Sequence, residues 1–221
     1  MKKSCRRIKA IVFDVDGVLV PIKSSWGYIH EKLGTVDASE RNYRLFLEGK
    51  IGYWEWMYLD ILAWIEAFPG LTRWDLEEIV NDIEPLPEAY DVVKCLKKKG
   101  YKVGLLSAGV EIVVAKVARL LRTEYWMAPL LEFDSEGRLV PGGYPLVEAG
   151  KKHIALARLV KRMGVSLAET AFVGDTVWDL SAMKKARIGI AVGNVEEAVK
   201  READIHIQSL SELVEVFGLR C

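Results

Sequence analysis

Asp14 and Asp16 stand two residues apart at the end of the apolar run Ile11-Val12-Phe13, where Gly17 breaks the pattern. Such a run reads as a strand buried on both faces, so both acids are delivered to a strand end with little water. Burying a lone carboxylate costs several kcal/mol, and neighbouring like charges therefore share a proton or surround a cation. The plainer alternative is a pair of Asp residues that caps the following turn. Further along, Ser107-Ala108-Gly109 closes the apolar run from Tyr101 to Leu106, Lys151 and Lys152 open a helical pattern, and Gly174-Asp175-Thr176-Val177-Trp178-Asp179 closes another apolar run.

Brought to one rim, these residues suit phosphoryl transfer. Mg²⁺ takes oxygen ligands, and Asp14 and Asp175 could supply them. Asp14 is then placed to attack phosphorus, and Asp16 to protonate the leaving alkoxide and later deprotonate water. Ser107 and the backbone N–H groups of Ala108 and Gly109 would hold the phosphoryl oxygens, while Lys152 neutralises Asp14 and the transferring group. Asp179 would act through another group, steadying the metal's water or Lys152. Taken alone, the Ser-Ala-Gly turn is equally consistent with an ordinary tight connection between strand and helix.

The elements needed to bring them together are legible as pattern. Residues 9–15, 101–106, 170–173, 188–192 and 205–207 read as short buried strands, separated by helical segments such as 88–99, 110–121 and 151–163. Alternation of this kind predicts an α/β fold, a Rossmann-like, mostly parallel sheet core with helices on both faces, whose ligands bind beyond the carboxyl ends of the strands. A Lys pair at a helix start opposes the helix dipole, so something anionic should compensate Lys151 and Lys152. Residues 126–133 and 137–140, joined by Asp134-Ser135-Glu136-Gly137, read as a β-hairpin at the edge of the domain.

Residues 24–84 change texture. Ser24 or Ser25 caps a helix that Gly34 ends, Asp37 with Glu40 suits a cap for a second, Tyr53 to Ala67 reads as a third, and Thr72 caps a fourth running toward Ile83. The chain is thus divided into a core of 1–22 and 86–221 with an inserted all-α helical cap of 23–85. Five of the seven Trp and four of the eight Tyr fall in this insertion, either as its packing or as the lining of a substrate pocket.

Composition narrows the partners. The 31 basic and 31 acidic residues cancel, which points away from nucleic acid, and the basic cluster Lys2, Lys3, Arg6, Arg7 and Lys9 reads as a solvated N-terminus. No apolar run reaches the roughly 18 residues that span a bilayer and no signal-peptide pattern is present, so no membrane partner and a cytoplasmic location are expected. Cys5, Cys95 and Cys221 are scattered, as are the three His, which argues against a disulfide framework or a zinc site and leaves any metal to oxygen ligands.

The set Asp14-Val15-Asp16-Gly17-Val18-Leu19, Leu106-Ser107-Ala108-Gly109, Lys152 and Gly174-Asp175-Thr176-Val177-Trp178-Asp179 resembles the four motifs of the haloacid-dehalogenase superfamily, in the order and spacing of its phosphoserine-phosphatase-like branch. The likeness covers residues 9 to about 208, with 24–84 where that branch carries its helical cap. It implies a nucleophilic Asp14, Asp16 as acid and base, and a Mg²⁺ ion held by Asp14, Asp16 and Asp175. Lys152, 23 residues before Asp175, fits the branch better than Lys151. The implied activity is hydrolysis of a small phosphorylated metabolite. A phosphomutase on the same core, or a non-catalytic protein binding a phosphorylated ligand, are the other readings. Lys23 stands where the phosphoserine phosphatases carry an acid that binds the substrate ammonium, which favours an anionic group here. Trp178 replaces the Asn usual one residue before the last Asp.

Overall fold

The computed structural model describes residues 8–220. Six strands form one sheet, all neighbouring pairs parallel: β1 (Ala10–Phe13), β2 (Lys102–Leu106), β3 (Tyr125–Met127), β4 (Thr170–Gly174), β5 (Ile188–Val192) and β6 (Ile205–Ile207), in the order β3-β2-β1-β4-β5-β6. Four helices, α1 (Ser25–Leu33), α2 (Val36–Leu47), α3 (Tyr53–Ala67) and α4 (Arg73–Ile79), are inserted between β1 and α5 (Pro87–Lys98). The core helices that follow are α6 (Glu111–Leu120), α7 (Lys152–Arg162), α8 (Leu180–Lys185), α9 (Glu197–Glu202) and α10 (Glu212–Val216).

The apolar run in β1 exists because the strand is covered twice. Ile11 and Phe13 pack with Val92, Leu96, Val113 and Val117 of α5 and α6. Ala10 and Val12 pack on the other face with Leu156, Leu159 and Met183 of α7 and α8. Successive side chains of a strand alternate between faces, so a helix layer on each side removes any room for a polar residue. Strand order reverses between β1 and its neighbours β2 and β4, and Asp14 lies one residue past β1 at that point. A crevice opens where crossovers leave in opposite directions.

The insertion does not fold around a core of its own. Ile29, Met57, Ile61, Trp64, Leu76 and Val80 belong to the same buried cluster as β1 and α6. Caps fix the helix ends: Ser24 Oγ accepts from the Gly27 N–H at 3.1 Å, and Gly34 turns the chain out of α1 at φ 68°. Thr72 and Asp75 cap α4 reciprocally, with the Asp75 N–H on Thr72 Oγ1 at 3.2 Å and the Thr72 N–H on Asp75 Oδ2 at 2.8 Å. Thr72→Ala is expected to lower stability by about 1 kcal/mol, read as a shift in denaturation midpoint at unchanged slope.

Several expectations are corrected. Residues 125–127 are the parallel edge strand β3 and not part of a hairpin arm, whereas the turn at Asp134–Gly137 is where the pattern put it, with Phe133 pairing antiparallel with Leu139 across it and Leu130 with Tyr144 beyond. That ribbon touches the insertion, since the Leu139 N–H donates to Leu71 O and the Arg73 N–H to Gly137 O. Helix α2 starts at Val36, ahead of Asp37, and no side chain caps it. Helix α4 stops at Ile79, and α10 is an element no motif announced. Cys95 is disulfide-bonded, which its scattered spacing from the other cysteines did not announce; Cys5 and Cys221 lie outside the described residues. Of the N-terminal basic cluster only Lys9 is described, on Glu169 at 2.5 Å, and Lys2, Lys3, Arg6 and Arg7 lie outside the described residues. Among the described residues, no helix is long and apolar enough to cross a membrane.

Candidate active site

Three strand ends and one helix start converge on one group of side chains. Asp14 follows β1, Ser107 follows β2, Asp175 follows β4, and Lys152 enters from the first turn of α7. The Asp14 N–H donates to Val173 O, so the last backbone bond of the β1–β4 pairing also fixes the aspartate. Lys152 Nζ lies 2.8 Å from Asp14 Oδ2 and 2.6 Å from Asp179 Oδ1. This is the anionic compensation that its position at a helix start demands, and Lys151 finds its own in Glu148 at 2.9 Å.

Asp179 is fully buried beneath Gly174 and organises the turn around itself. Its Oδ2 accepts from the Asp175 N–H at 3.1 Å, the Thr176 N–H at 3.0 Å and the Thr176 hydroxyl at 3.1 Å, while Oδ1 takes Lys152. Asp175 is thereby set facing Asp14, and the oxygens of Asp14, Asp175 and Asp179 come within 4.8 Å of one another. Close approach requires Gly17: at φ 75° it sits so near that a Cβ would meet Asp175 Oδ2 at 2.3 Å.

Asp16 points elsewhere. Its Oδ2 accepts from both the N–H and the hydroxyl of Ser25, at 2.7 and 2.8 Å. Ser25 Oγ in turn accepts from the Val110 N–H at 2.8 Å. The first residue of α1 thus ties the second aspartate to the turn after β2. Gly109 packs against this node, where a Cβ would lie 2.5 Å from Ser25 Oγ and 2.6 Å from Asp16 Oδ2. Ser107 is buried, and its Oγ accepts from the Gly109 N–H at 3.1 Å, which leaves the hydroxyl proton free to point into the cavity.

The electrostatics follow from burial. Asp14 is pushed up to about 7 by loss of water, against the pull of Lys152 and with a further push from Asp179 and Asp16. Asp175 is likewise pushed up to about 7, by burial first and then by Asp14 and Asp179. Burial also raises Asp16, partly offset by the two bonds from Ser25. Lys152 is driven down by burial but held above its usual range by Asp14 and Asp179. Three carboxylates facing one ammonium leave an excess of negative charge, and Asp14 Oδ1 and Asp175 Oδ1 are buried with no hydrogen-bond partner. Orphaned carboxylate oxygens aimed at one point are what a hard divalent cation requires, so the residues fit an oxygen-liganded metal. The side chain of Asp16 is not in that cluster; it would reach a metal only through Oδ1, which has no partner, or its main-chain carbonyl.

Above the carboxylates lies a cavity of about 170 Å³, lined by the catalytic candidates and by Lys23, Trp26, Tyr53, Trp56, Met57, Asp60 and Trp178. This is below the roughly 300 Å³ at which pockets for drug-sized ligands begin, a size that suits a small ligand. The Trp26 indole N–H and the Tyr53 hydroxyl both donate to Ala108 O, at 3.0 and 3.5 Å. The aromatic load of the insertion therefore divides: Trp64 is core, Trp26, Tyr53 and Trp56 line the cavity, and Trp74 is exposed. Trp178 reaches the cavity from the core side, 6.4 Å from the Phe46 ring. Two participants escaped the sequence reading. Ser25 had only the look of a helix cap, and Asp60 sat unremarked in an apolar helix, where an isolated acid on a buried face was the available signal.

A doubly covered parallel sheet whose strand ends gather Asp14, Ser107, Lys152 and Asp175 under a helical cap defines a hydrolase of the phosphoryl-handling kind. The chain belongs to the haloacid dehalogenase-like hydrolase family, whose description matches residues 8–187. Within it the chain falls in the phosphoserine-phosphatase-like branch, built as a phosphoric monoester hydrolase. It is 29% identical over 205 residues to a phosphoserine phosphatase of Methanocaldococcus jannaschii, covering 92% of this chain and 93% of that one. A phosphoserine phosphatase of Lactococcus lactis is 27% identical over 89% of this chain and 88% of its own. The fold superposes on a solved phospho-aspartyl intermediate analogue of phosphoserine phosphatase with TM-score 0.76 at 26% identity, over 96% of this chain and 99% of that one.

Proposed function

We propose that this protein is a Mg²⁺-dependent phosphatase of a small phosphorylated metabolite, working through an aspartyl-phosphate on Asp14. The observation that carries the reading is the state of the Asp14 carboxylate: Lys152 pins Oδ2 while buried Oδ1 has no partner beneath the cavity. One oxygen held and the other free is the arrangement of a positioned nucleophile. The core would comprise 1–22 and 86–221 and the cap 23–85, in a cytoplasmic enzyme with the cavity between them.

Asp14 would attack phosphorus as the alkoxide departs, and Asp16, steadied by Ser25, would give that alkoxide its proton. The same carboxylate then takes a proton from the water that splits the acyl phosphate, releasing phosphate. The Ser107 hydroxyl and the Ala108 N–H would orient the phosphoryl oxygens, with the Gly109 N–H keeping Ser107 in place. Lys152 offsets charge on Asp14 and on the transferring group. A bound Mg²⁺, held by Asp14 and Asp175 with Asp16 completing the set, would supply charge neutralisation of phosphate and nucleophile. Asp179 would act by holding Lys152 and the Asp175 turn.

The test is phosphate release from a panel of phosphomonoesters, including p-nitrophenyl phosphate and phosphoserine, with Mg²⁺ and with chelator. Turnover with Mg²⁺ that chelation removes supports the reading, and turnover that survives chelation defeats it. A linked expectation concerns pH. Asp14 and Asp175 hold protons to about pH 7 in the folded protein and release them near 4 when unfolded, so the metal-free protein loses stability as pH rises between those values. Mg²⁺ offsets that penalty only where the carboxylates are ionised. Scanning calorimetry should therefore show a larger Mg²⁺-induced rise in Tm at pH 8 than at pH 5; equal shifts would contradict it.

A further inference from the structure

The opposite rim of the sheet holds a second charged cavity that the proposed chemistry does not use. Lys102 opens β2 at that rim, and Ser107 follows the other end of the strand, about 16 Å away by strand rise. The cavity has a volume of about 250 Å³, a size that suits a small ligand, and Lys97, Lys102, Arg122, Thr123 and Glu124 are among the residues that line it. Three cations share it with one carboxylate.

Arg122 stands where glycine is easier. Helix α6 ends in a left-handed turn, closed by the Arg122 N–H on Arg119 O at 3.1 Å and the Thr123 N–H on Ala118 O at 2.8 Å. Helices α5 and α7 end in the same turn with Gly100 at φ 86° and Gly164 at φ 66°. Helix α6 makes it with an arginine at φ 54°, the one non-glycine at positive φ among the described residues. A Cβ strains that conformation, and such strain points to a task for the side chain. Thr123 adds a second signal. It is 8% exposed, and its Oγ1 is buried with no hydrogen-bond partner, which costs stability unless a bound group meets it.

The two lysines are already held in place. Lys97 Nζ donates to Arg122 O and Lys102 Nζ to Met163 O, so each ammonium is tied to a helix end and keeps two further donors. Neutralising the negative ends of α6 and α7 accounts for these lysines. It does not account for an arginine on a left-handed residue or for the unpartnered hydroxyl beside it. A guanidinium fork, two ammonium groups and a hydroxyl are the donors that an oxyanion takes.

We propose that this cavity binds a dianionic phosphate group, carried by inorganic phosphate or by a small ester, through Arg122, Lys97, Lys102 and the Thr123 hydroxyl. Glu124 is exposed at the same cavity, and three cations less one carboxylate leave a surplus of two positive charges for the dianion to match. The site is separate from the carboxylate cluster and does not depend on the phosphatase reading.

The test titrates inorganic phosphate and, in parallel, methyl phosphate into the metal-free protein in chelator, with sodium chloride matched for ionic strength, and follows the backbone amide resonances. Without a cation, the clustered carboxylates of Asp14, Asp175 and Asp179 give a phosphate no seat at the other rim. The Thr123 and Glu124 amides are expected to shift saturably with a Kd of about 5 mM or below, while those of Gly17 and Asp175 stay in place. Equal affinity for the two anions assigns the phosphate group whatever carries it, and preference for one names the source. Arg122→Gly relieves the turn and should melt at or above the wild-type Tm, yet bind about tenfold or more weakly; Thr123→Val should weaken binding about fivefold or more. A shift that rises linearly, or that chloride reproduces, overturns the proposal and leaves the cluster to its helix ends. Saturable binding that Arg122→Gly leaves unchanged overturns it too. Should Arg122→Gly fail to fold, Thr123→Val decides: a weakened Kd supports the site and an unchanged one refutes it.

Discussion

Asp14→Asn is expected to abolish turnover, by about 10⁴-fold or more in kcat, because the amide keeps the shape of the site and removes the proposed nucleophile. The protein should remain folded. Asn fills the same space, and the lost charge is one that burial already disfavours, since Asp14 is pushed up to about 7. Lys152 keeps its bond to Asp179 in the variant. The checking measurements are steady-state phosphate release and a thermal melt of the same preparation. Loss of activity with a Tm within a few degrees of wild type is the expected pair of results; retained activity would remove Asp14 from the mechanism.

Lys152→Met should damage both catalysis and stability. The ammonium is buried and bonds two carboxylates, so its removal leaves Asp14, Asp175 and Asp179 without a counter-charge. Breaking a buried pair from one side costs about 3–5 kcal/mol, and losing a charge aimed at the transferring group costs about 10²–10³-fold in kcat. The two effects separate by pH. Carboxylates whose pKa burial has raised can take up protons as the pH falls, so the metal-free variant should regain much of its lost stability between pH 8 and pH 5. Denaturant midpoints across that range provide the check. A stability loss that does not change with pH would mean that packing of the lysine stem, and not its charge, holds the site together.

What was legible in the sequence was whatever local chemistry dictates. The run Ile11-Val12-Phe13 has no polar residue because the strand is covered on both faces, so strand, burial and the position of Asp14 came together. Gly34 and Thr72 marked helix ends because left-handed turns and side-chain caps have few residue solutions. Residues 125–127 failed for the opposite reason. Three residues before a Pro and a turn suit either a hairpin arm or a parallel edge, and only the partner β2 decides. The site divides the same way. Asp14, Ser107 and Asp175 are announced by strand ends and Lys152 by a helix start, whereas Ser25 reaches Asp16 and Val110 only through the folded insertion. Asp60 meets Asn42 and His30 across three helices, a contact no spacing along the chain encodes.

The central claim is that Asp14 carries the phosphoryl group covalently. Acyl phosphates are reduced by borohydride, so wild-type protein mixed with Mg²⁺ and the best ester of the panel, quenched during turnover and reduced, should contain homoserine in place of Asp14, found by peptide mass. The label should require substrate and be absent from Asp14→Asn. Steady turnover with residue 14 unmodified, or with the modification at Asp16 or Asp175, would contradict the account.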